Sequence, residues 1–219
     1  MFPMDTREES RSAAKHRAIL EAATTAFLAN GYLGTNMDEI ATRASVSKRT
    51  VYQHFADKER LFAEIVLATT DEIDALVRLV ADSLAETDDV AGDLRELARR
   101  FLADLMQPQL LRLRRLVIAS ADRFPDLGRT WYERGFGRVL DTLAASFRQL
   151  AARGLLRVDD PGLAANHFVG QLLWIPMNEA MFTGDDQARS PADLEHYADA
   201  AVRAFMEGHV ARPAAGRWR

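Results

Sequence analysis

The 219-residue sequence predicts an all-α protein, in which three short N-terminal helices are joined by a long helix to a C-terminal helical bundle. The chain holds 36 Ala and 26 Leu but 12 Val and 6 Ile. Ala and Leu favour helices, whereas β-branched residues favour strands. Glycine and proline number 12 and 7, a low share that indicates few turns. Apolar residues also recur three and four positions apart, as on one face of a helix.

Composition and motif content exclude several classes of protein. Without cysteine the chain can form no disulfide scaffold, thiolate zinc site, iron–sulfur cluster or thiol redox sensor. No apolar run approaches the ~18 residues that span a bilayer, and the acidic start lacks the apolar core of a signal peptide. A soluble cytoplasmic protein without a membrane partner is therefore expected. The histidines form no i, i+4 pair, and HExxH, GxSxG, P-loop and GxGxxG motifs are all missing, so we expect no enzyme, no metal and no cofactor.

The first 56 residues contain three predicted helices. Their predicted ranges are 11–29, 36–44 and 48–55. The first ends at Gly31, because glycine tolerates the left-handed geometry that follows a helix. Thr35 and Asp38 form a capping-box-like start for the second helix, and Ser47 is a good N-cap for the third. A short helix, a three-residue turn and a second short helix make a helix-turn-helix.

The third helix separates an apolar face from a polar one. Val51 and Phe55 share the apolar face. Arg49, Thr50 and Gln53 lie opposite, with a guanidinium, a hydroxyl and an amide that can read base edges in a major groove. The flanking positions, suited to phosphate oxygens, are Tyr52 and His54. The spacing alone also fits a short exposed helix without a ligand.

Charge is divided unevenly along the chain. Residues 1–60 carry +1 and residues 61–219 carry −5, which together give the total of −4. Counted from Ser10, the first block carries +3. This difference favours an anionic partner for the first part of the chain, although scatter over about 50 residues would produce the same difference.

A long helix over 58–84, capped by Asp57, is predicted to lead from the first domain into the second without a flexible linker. Later helix starts are marked by proline after a capping residue, as at Asp160–Pro161 and Ser190–Pro191. The remaining helices are predicted at 90–106, 109–121, 126–152, 161–182 and 191–209, nine in all. The expected domains are 1–56, ordered from about residue 10, and 57–210, followed by a C-terminal tail at 211–219.

The second domain offers candidates for a pocket and for an interface. Bulky apolar side chains on several helices favour a cavity for a mostly apolar small molecule, although each polar candidate alone is better explained as a core or surface residue. The candidate pocket residues are Phe101, Leu105, Arg114, Trp131, Phe136, His167, Gln171, Trp174 and Asn178. Apolar stripes on the last two helices are either monomer core or a contact with a second copy. The candidate interface residues are Gly170, Leu173, Met177, Met181, Tyr197, Ala201 and Phe205.

Residues 15–62 resemble the N-terminal domain of TetR/AcrR-type transcriptional regulators. The resemblance is carried by residues 19–23, Phe27, 31–32, Thr35, 38–41, 46–55 and 58–62. The segments 115–119, 124–127 and 153–156 are similar to the C-terminal domain of AefR-like members. The resemblance implies that residues 57–210 bind a ligand and dimerise through the last two helices.

The same resemblance implies DNA contacts at matching positions, with Lys48, Thr50 and Gln53 facing bases. The candidate DNA-binding residues are Thr35, Ser47, Lys48, Arg49, Thr50, Tyr52, Gln53, His54 and Lys58. Three positions depart from the family pattern. Ser45 stands where glycine is usual, which predicts about 1 kcal/mol of strain if its φ is positive. Arg49 adds a charge where glycine is frequent, and Asp38 is acidic where some relatives are basic, so we assign it no DNA role.

Together these observations predict a homodimeric, ligand-responsive repressor. It would bind double-stranded DNA at a palindromic operator and be released by a mostly apolar small-molecule effector. One alternative is a ligand-independent regulator whose second domain serves protein contacts. Another is a helical carrier or enzyme that merely resembles the family.

Overall fold

The computed structural model describes residues 6–184 and 189–209. Helices account for nearly all of these residues, and no strand occurs among them, which confirms the all-α prediction. The predicted tail at 211–219 lies outside the described residues. No helix within the described ranges is long and apolar enough to cross a membrane.

Nine helical stretches are present in the described part of the chain, as predicted. The helices are α1 (Thr6–Gly34), α2 (Met37–Arg43), α3 (Lys48–His54), α4 (Lys58–Ala85), α5 (Val90–Leu105), α6 (Pro108–Ser120), α7 (Pro125–Tyr132), α8 (Arg138–Ala152), α9 (Pro161–Thr183) and α10 (Pro191–His209). A π-helical turn, Glu133–Gly137, connects α7 to α8. The single helix predicted at 126–152 is therefore one helical stretch with a wider turn inside it.

Local capping signals place most of the helix starts. The Asp160 carboxylate accepts the backbone N–H of Leu163, and Pro161 occupies the first position of α9. At α10 the Ser190 hydroxyl accepts the N–H of Asp193, whose carboxylate in turn accepts from Ser190. These contacts satisfy N–H groups that have no partner inside the helix.

Two sequence predictions about the first helices need correction. The first helix starts at Thr6 rather than at residue 11, although its regular winding does stop at Gly31, which has φ 70°. The N-cap of α2 is Asn36, which accepts the N–H of Glu39 at 2.9 Å. The prediction that Thr35 caps α2 is wrong, because the Thr35 hydroxyl donates backwards to the carbonyl of Gly31.

The described chain forms two compact units, each with its own apolar core. The first unit comprises residues up to 70 together with 112–131, and the second comprises 71–111 and the residues from 132 onwards. The core of the first unit is built on Phe27 and Phe62 and includes Leu113 from α6. The first unit therefore contains the whole of the predicted 1–56 domain and adds parts of α4, α6 and α7. The boundary at residue 56 stays a prediction.

In the second unit, α5 packs on α10, α8 packs on α9, and α9 packs on α10. Phe147, Phe168 and Phe205 form an aromatic cluster at its centre, with ring centroids 5.1 to 6.0 Å apart. Arg99 and Asp199 join α5 to α10 through two hydrogen bonds of 2.8 and 2.7 Å. The second unit is thus a helical bundle in which aromatic packing and a bidentate ion pair join α5 and α8–α10.

Candidate nucleic-acid interface

A tight turn sets α3 at a defined position after α2. The N–H of Ser45 bonds to the carbonyl of Thr42, and the N–H of Val46 bonds to that of Ala41, both at 3.1 Å. This pair of bonds is a Schellman motif, whose turning residue must adopt a left-handed conformation. That residue is Ser45, with φ 54°, the one non-glycine residue with positive φ in the described ranges.

Ser47 then begins the recognition helix. Its hydroxyl accepts the N–H of Thr50 at 3.1 Å and also lies 2.8 Å from the Thr50 hydroxyl. Val51 and Phe55 are buried at 0% and 3% exposure and fix the inner face of α3 against the core of the first unit. The capping role predicted for Ser47 is present in the structure.

The outer face of α3 is polar and open to solvent. Lys48, Arg49, Tyr52 and Gln53 are exposed, and Thr50 is half-buried. Tyr52, which is 46% exposed, is the large apolar ring on this face. The structure thus brings the predicted base-reading residues together on one surface, as a helix that enters a major groove requires.

Lys48 is held by a carboxylate from the neighbouring helix. Its Nζ lies 2.7 Å from Oδ1 of Asp38 at the start of α2, and both side chains are more than half exposed. The hydrogen bond and the charge of Asp38 raise the pKa of Lys48. Asp38 is a residue whose part in the site the sequence reasoning missed, because the pairing depends on how α2 and α3 meet. This pairing occupies part of the donor capacity with which Lys48 could contact a base.

Thr35 and Lys58 lie at the junction of α1, α2 and α4. Thr35 is 1% exposed, so its hydroxyl does not face solvent. The Lys58 ammonium donates to the carbonyls of Tyr32 and Thr35 at 2.9 and 2.8 Å and lies 4.4 Å from the centre of the Tyr32 ring. Burial, with a smaller effect of the nearby Arg123 charge, lowers the pKa of Lys58. In this conformation Thr35 and Lys58 stabilise the junction of α1, α2 and α4 through hydrogen bonds. Their phosphate contacts stay predictions.

His54, at the end of α3, belongs to a cluster with His16 and Phe55. The His16 ring stacks on Phe55 at 4.8 Å and lies 5.7 Å from the His54 ring, while its Nε2 is 2.7 Å from a carboxylate oxygen of Glu64. Burial lowers the pKa of His54, and the positive charges of His16 and Lys15 lower it further. His54 is therefore neutral near pH 7 and would meet a phosphate as a neutral hydrogen-bond donor.

The predicted pocket residues separate into several groups. Phe101 and Leu105 are buried in the core of the second unit, where Phe136 packs partly exposed. Arg114 and Trp131 lie together in the first unit, with the guanidinium carbon 5.2 Å from the indole ring. The described residues form no cluster of three or more metal-ligating side chains.

The polar pocket candidates on α9 do not converge on one cavity. His167 lines a recess of about 280 Å³ with Asp160 and His209. Gln171 and Trp174 face an open groove instead, and Trp174 is 68% exposed. Asn178 donates to the carbonyl of Trp174 one turn earlier.

The open groove is lined by some of the predicted pocket residues and some of the predicted interface residues. It has a volume of about 600 Å³ and an almost wholly apolar lining. The lining residues are Gly170, Gln171, Trp174, Ile175, Tyr197, Ala200, Ala201 and Ala204. Among the other interface candidates, Leu173 and Phe205 lie inside the second unit, and Met177 and Met181 pack partly exposed against its core.

A polar recognition helix, set by a tight turn on a second short helix, defines a helix-turn-helix DNA-binding protein. Residues 19–65 match the N-terminal domain of bacterial regulatory proteins of the tetR family. Residues 92–208 match the C-terminal domain of AefR-like transcriptional repressors. The chain therefore belongs to the TetR family of transcriptional regulators.

Two solved structures resemble the chain along nearly its whole length. A TetR-family transcriptional regulator from Mesorhizobium loti is 54% identical, with a TM-score of 0.82, over 91% of this chain and 98% of that one. The flavonoid-responsive regulator FrrA is 29% identical, with a TM-score of 0.70, over 91% of this chain and 98% of FrrA. The match thus extends through both compact units.

Matches to curated proteins cover shorter segments. The HTH-type transcriptional activator FasR from Mycolicibacterium smegmatis is 39% identical over 83 residues, which are 38% of this chain and 36% of FasR. The chain spans between 31% and 45% of the first three curated relatives. A phosphoenolpyruvate carboxylase from Mycolicibacterium paratuberculosis matches too, at 32% identity, but the match covers 16% of that enzyme and does not bear on activity.

Proposed function

We propose that the protein is a ligand-responsive transcriptional repressor that binds a palindromic operator as a homodimer and has no enzymatic activity. The observation that carries the proposal is the exposed polar face of α3, which rests on a buried apolar face and a capped first turn. Binding to chromosomal DNA places such a protein in the cytoplasm.

Exposure and chemistry support DNA contacts for the residues of α3, whereas those of Thr35 and Lys58 rest on the family resemblance. The Gln53 amide can pair with adenine through two hydrogen bonds, and the Lys48 and Arg49 cations suit guanine edges or phosphates. The proposed set is completed by Tyr52, Thr50, His54, Ser47, Thr35 and Lys58. Thr35 and Lys58 would contact phosphates where the junction of α1, α2 and α4 around Tyr32 meets the DNA backbone. The match to AefR-like repressors favours repression, while the partial relative FasR is described as an activator.

Footprinting on the DNA upstream of the gene tests DNA binding. We expect protection of a palindrome that weakens as salt rises, because phosphate contacts release counterions. Gln53→Ala should lower the affinity about 5- to 150-fold, corresponding to about 1–3 kcal/mol for a good base contact. Gln149→Ala, at an exposed position of α8, is the matched control and should bind as the wild type does. An unprotected palindrome would refute the proposal.

The open groove between α9 and α10 supports a homodimer. Exposed apolar patches of this kind mark association sites, and a large aromatic ring beside small alanines is suited to packing against a symmetry-related copy. In such a dimer, two helix-turn-helix units related by a two-fold axis would meet half-sites about 34–36 Å apart. Trp174→Ser should shift the mass in sedimentation from dimer to monomer. Leu33→Ser, which removes an 80% exposed apolar side chain of the first unit, should leave it a dimer.

Ligand response is supported by the likeness to FrrA, which is named for its response to flavonoids. An effector that prefers a conformation unable to fit both half-sites would release the operator, because coupling requires different affinities for the two states. Naringenin, as a flavonoid, is the first probe to titrate into the protein–operator complex. Release by this or another apolar compound supports the repressor proposal. A complex that no compound dissociates favours a ligand-independent regulator.

A further inference from the structure

Arg114 is a largely enclosed cation with no anionic partner among the described residues. It lies on α6 in the first unit, and its Nε atom is buried with no hydrogen-bond partner among the described residues. Burial lowers the pKa of Arg114, and no charge among the described residues offsets this effect. A guanidinium in such a site loses hydration that only an ion pair or hydrogen bonds can replace.

An indole ring covers one face of this guanidinium. The Arg114 guanidinium carbon lies 5.2 Å from the centre of the Trp131 ring. Trp131 is itself fixed, because its Nε1–H donates to the Thr69 hydroxyl at 3.2 Å, and that hydroxyl donates to the carbonyl of Val66. Stacking attracts the cation but accepts no hydrogen bond from the N–H groups at its edge. The Nε–H of this positioned guanidinium therefore has no acceptor among the described residues.

Two other arginines of this protein are paired with carboxylates at hydrogen-bond distance. Arg99 makes a bidentate pair with Asp199, and Arg189 makes one with Glu179, all four bonds between 2.7 and 2.8 Å. Arg114 is more enclosed than a surface arginine, yet the described residues supply it with no such partner. A carboxylate or phosphate oxyanion would fit the planar fork of this guanidinium.

We propose that Arg114, stacked on Trp131, binds the anionic head group of the small-molecule effector, a carboxylate or a phosphate monoester on an apolar skeleton. This inference rests on the proposed ligand response, and it specifies the class of effector as an amphipathic acid. Carboxylate and phosphate share the two adjacent oxygens that pair with the fork.

The neighbours of Arg114 on α6 belong to the core of the first unit, which also carries the recognition helix α3. Leu113, Leu116 and Val117, on the same helix, are 4–8% exposed and belong to the apolar core that also holds Val51 of α3. Arg114 is therefore one residue away from side chains packed in the core of the unit that carries the recognition helix. An anion that draws the guanidinium towards itself acts on α6 at this point.

Thermal unfolding of the full chain without DNA tests the site. The probes are decanoate, decyl phosphate and the neutral decanamide, each compared with Arg114→Met and with the control Arg129→Met, at a 68% exposed arginine of α7. At a hundredfold excess over the Kd, a bound acid should raise the Tm of the wild type and of Arg129→Met by about 5 °C or more. Arg114→Met should lose that rise, and decanamide should stabilise all three proteins by an equal, smaller amount. Whichever acid gives the larger shift identifies the preferred head group.

Without probe, Arg114→Met should melt at or above the wild type, because a methionine of similar length replaces an unpaired buried charge. The inference is overturned if neither acid stabilises the wild type more than decanamide does. It is also overturned if Arg114→Met keeps the acid-dependent rise, or melts well below the wild type in probe-free buffer. Operator footprinting is separate from this measurement. If the operator is protected but the acid-dependent rise in Tm does not depend on Arg114, only the anion site is refuted. If the rise in Tm depends on Arg114 but no operator is protected, the repressor proposal is refuted.

Discussion

Replacing Ser45 by glycine should stabilise the helix-turn-helix. Ser45 is the C′ residue of the Schellman motif that ends α2, and its φ of 54° lies in the left-handed region. The backbone bonds from Ser45 and Val46 do not depend on the side chain, and the exposed Ser45 hydroxyl forms no hydrogen bond within the described ranges. The substitution therefore changes the conformational preference of this position and removes no native contact.

The size of the effect follows from two opposing contributions. A non-glycine residue in left-handed geometry costs roughly 1–2 kcal/mol, because its Cβ crowds the following carbonyl. Glycine removes that cost but adds roughly 0.5–1 kcal/mol of backbone entropy to the unfolded chain. The net stabilisation is about 0.5–1 kcal/mol. Since a change of 1 kcal/mol moves the Tm of a 150–250-residue protein by about 2–4 °C, we expect a rise of about 1–4 °C.

Urea and thermal unfolding of the full chain measure this effect, with far-ultraviolet circular dichroism as the signal. Ala44→Gly is the matched control, because Ala44 precedes Ser45 but has right-handed geometry at φ −75°. There glycine brings the entropy cost without relieving strain and also removes a half-buried methyl packed against the core, so the control should be destabilised by at least roughly 0.5–1 kcal/mol. Equal destabilisation by both substitutions would show that Ser45 stores no strain in the folded protein.

Three further predictions concern the same unit. Asn36→Ala should cost about 1 kcal/mol of stability in urea unfolding, because it removes the N-cap of α2; an unchanged midpoint would contradict the correction that replaces Thr35 by Asn36 as the cap. Asp38→Asn should raise operator affinity several-fold in gel-shift titrations, since it frees the Lys48 ammonium and removes a negative charge beside the DNA phosphates. Weaker binding would mean instead that the Asp38 carboxylate positions Lys48 for DNA. Because the pKa of His54 is lowered in the folded state, the unfolded chain binds more protons below pH ~6.5, and stability should fall as the pH falls through that value. His54→Asn should reduce this loss between pH 7.5 and pH 5, as measured by urea midpoints, and an identical loss in both proteins would exclude His54 as its source.

Local signals explain why much of the fold could be predicted from the sequence. Asp160, Ser190 and Ser47 cap the helices that they were expected to cap, since a capping contact spans three residues and needs no distant partner. The left-handed geometry at Ser45 also follows from its place in a tight turn. Thr35 was misassigned because its spacing to Asp38 resembles a capping box, whereas the adjacent Asn36 is intrinsically the better N-cap.

The site could be predicted only in part. The exposed face of α3 follows from the helical period, as at Gln53. The pairing of Lys48 with Asp38 joins residues on two helices, so the period of neither helix contains it. Trp174 and Phe205 both lie on apolar stripes, yet one faces an open groove and the other lies in the core. An apolar stripe indicates that a face is covered, but it does not say which surface covers it.

The sequence by itself determined the helical class, most of the helix caps, the helix-turn-helix and the polar face of α3, because each depends on residues within one or two turns of each other. Only the tertiary structure decided which distant side chains meet. It placed Leu113 in the core of the first unit and Arg114 against Trp131, and among the described residues it gave the Arg114 Nε–H no acceptor. Those contacts depend on how helices far apart in the chain pack, and no local pattern records that packing.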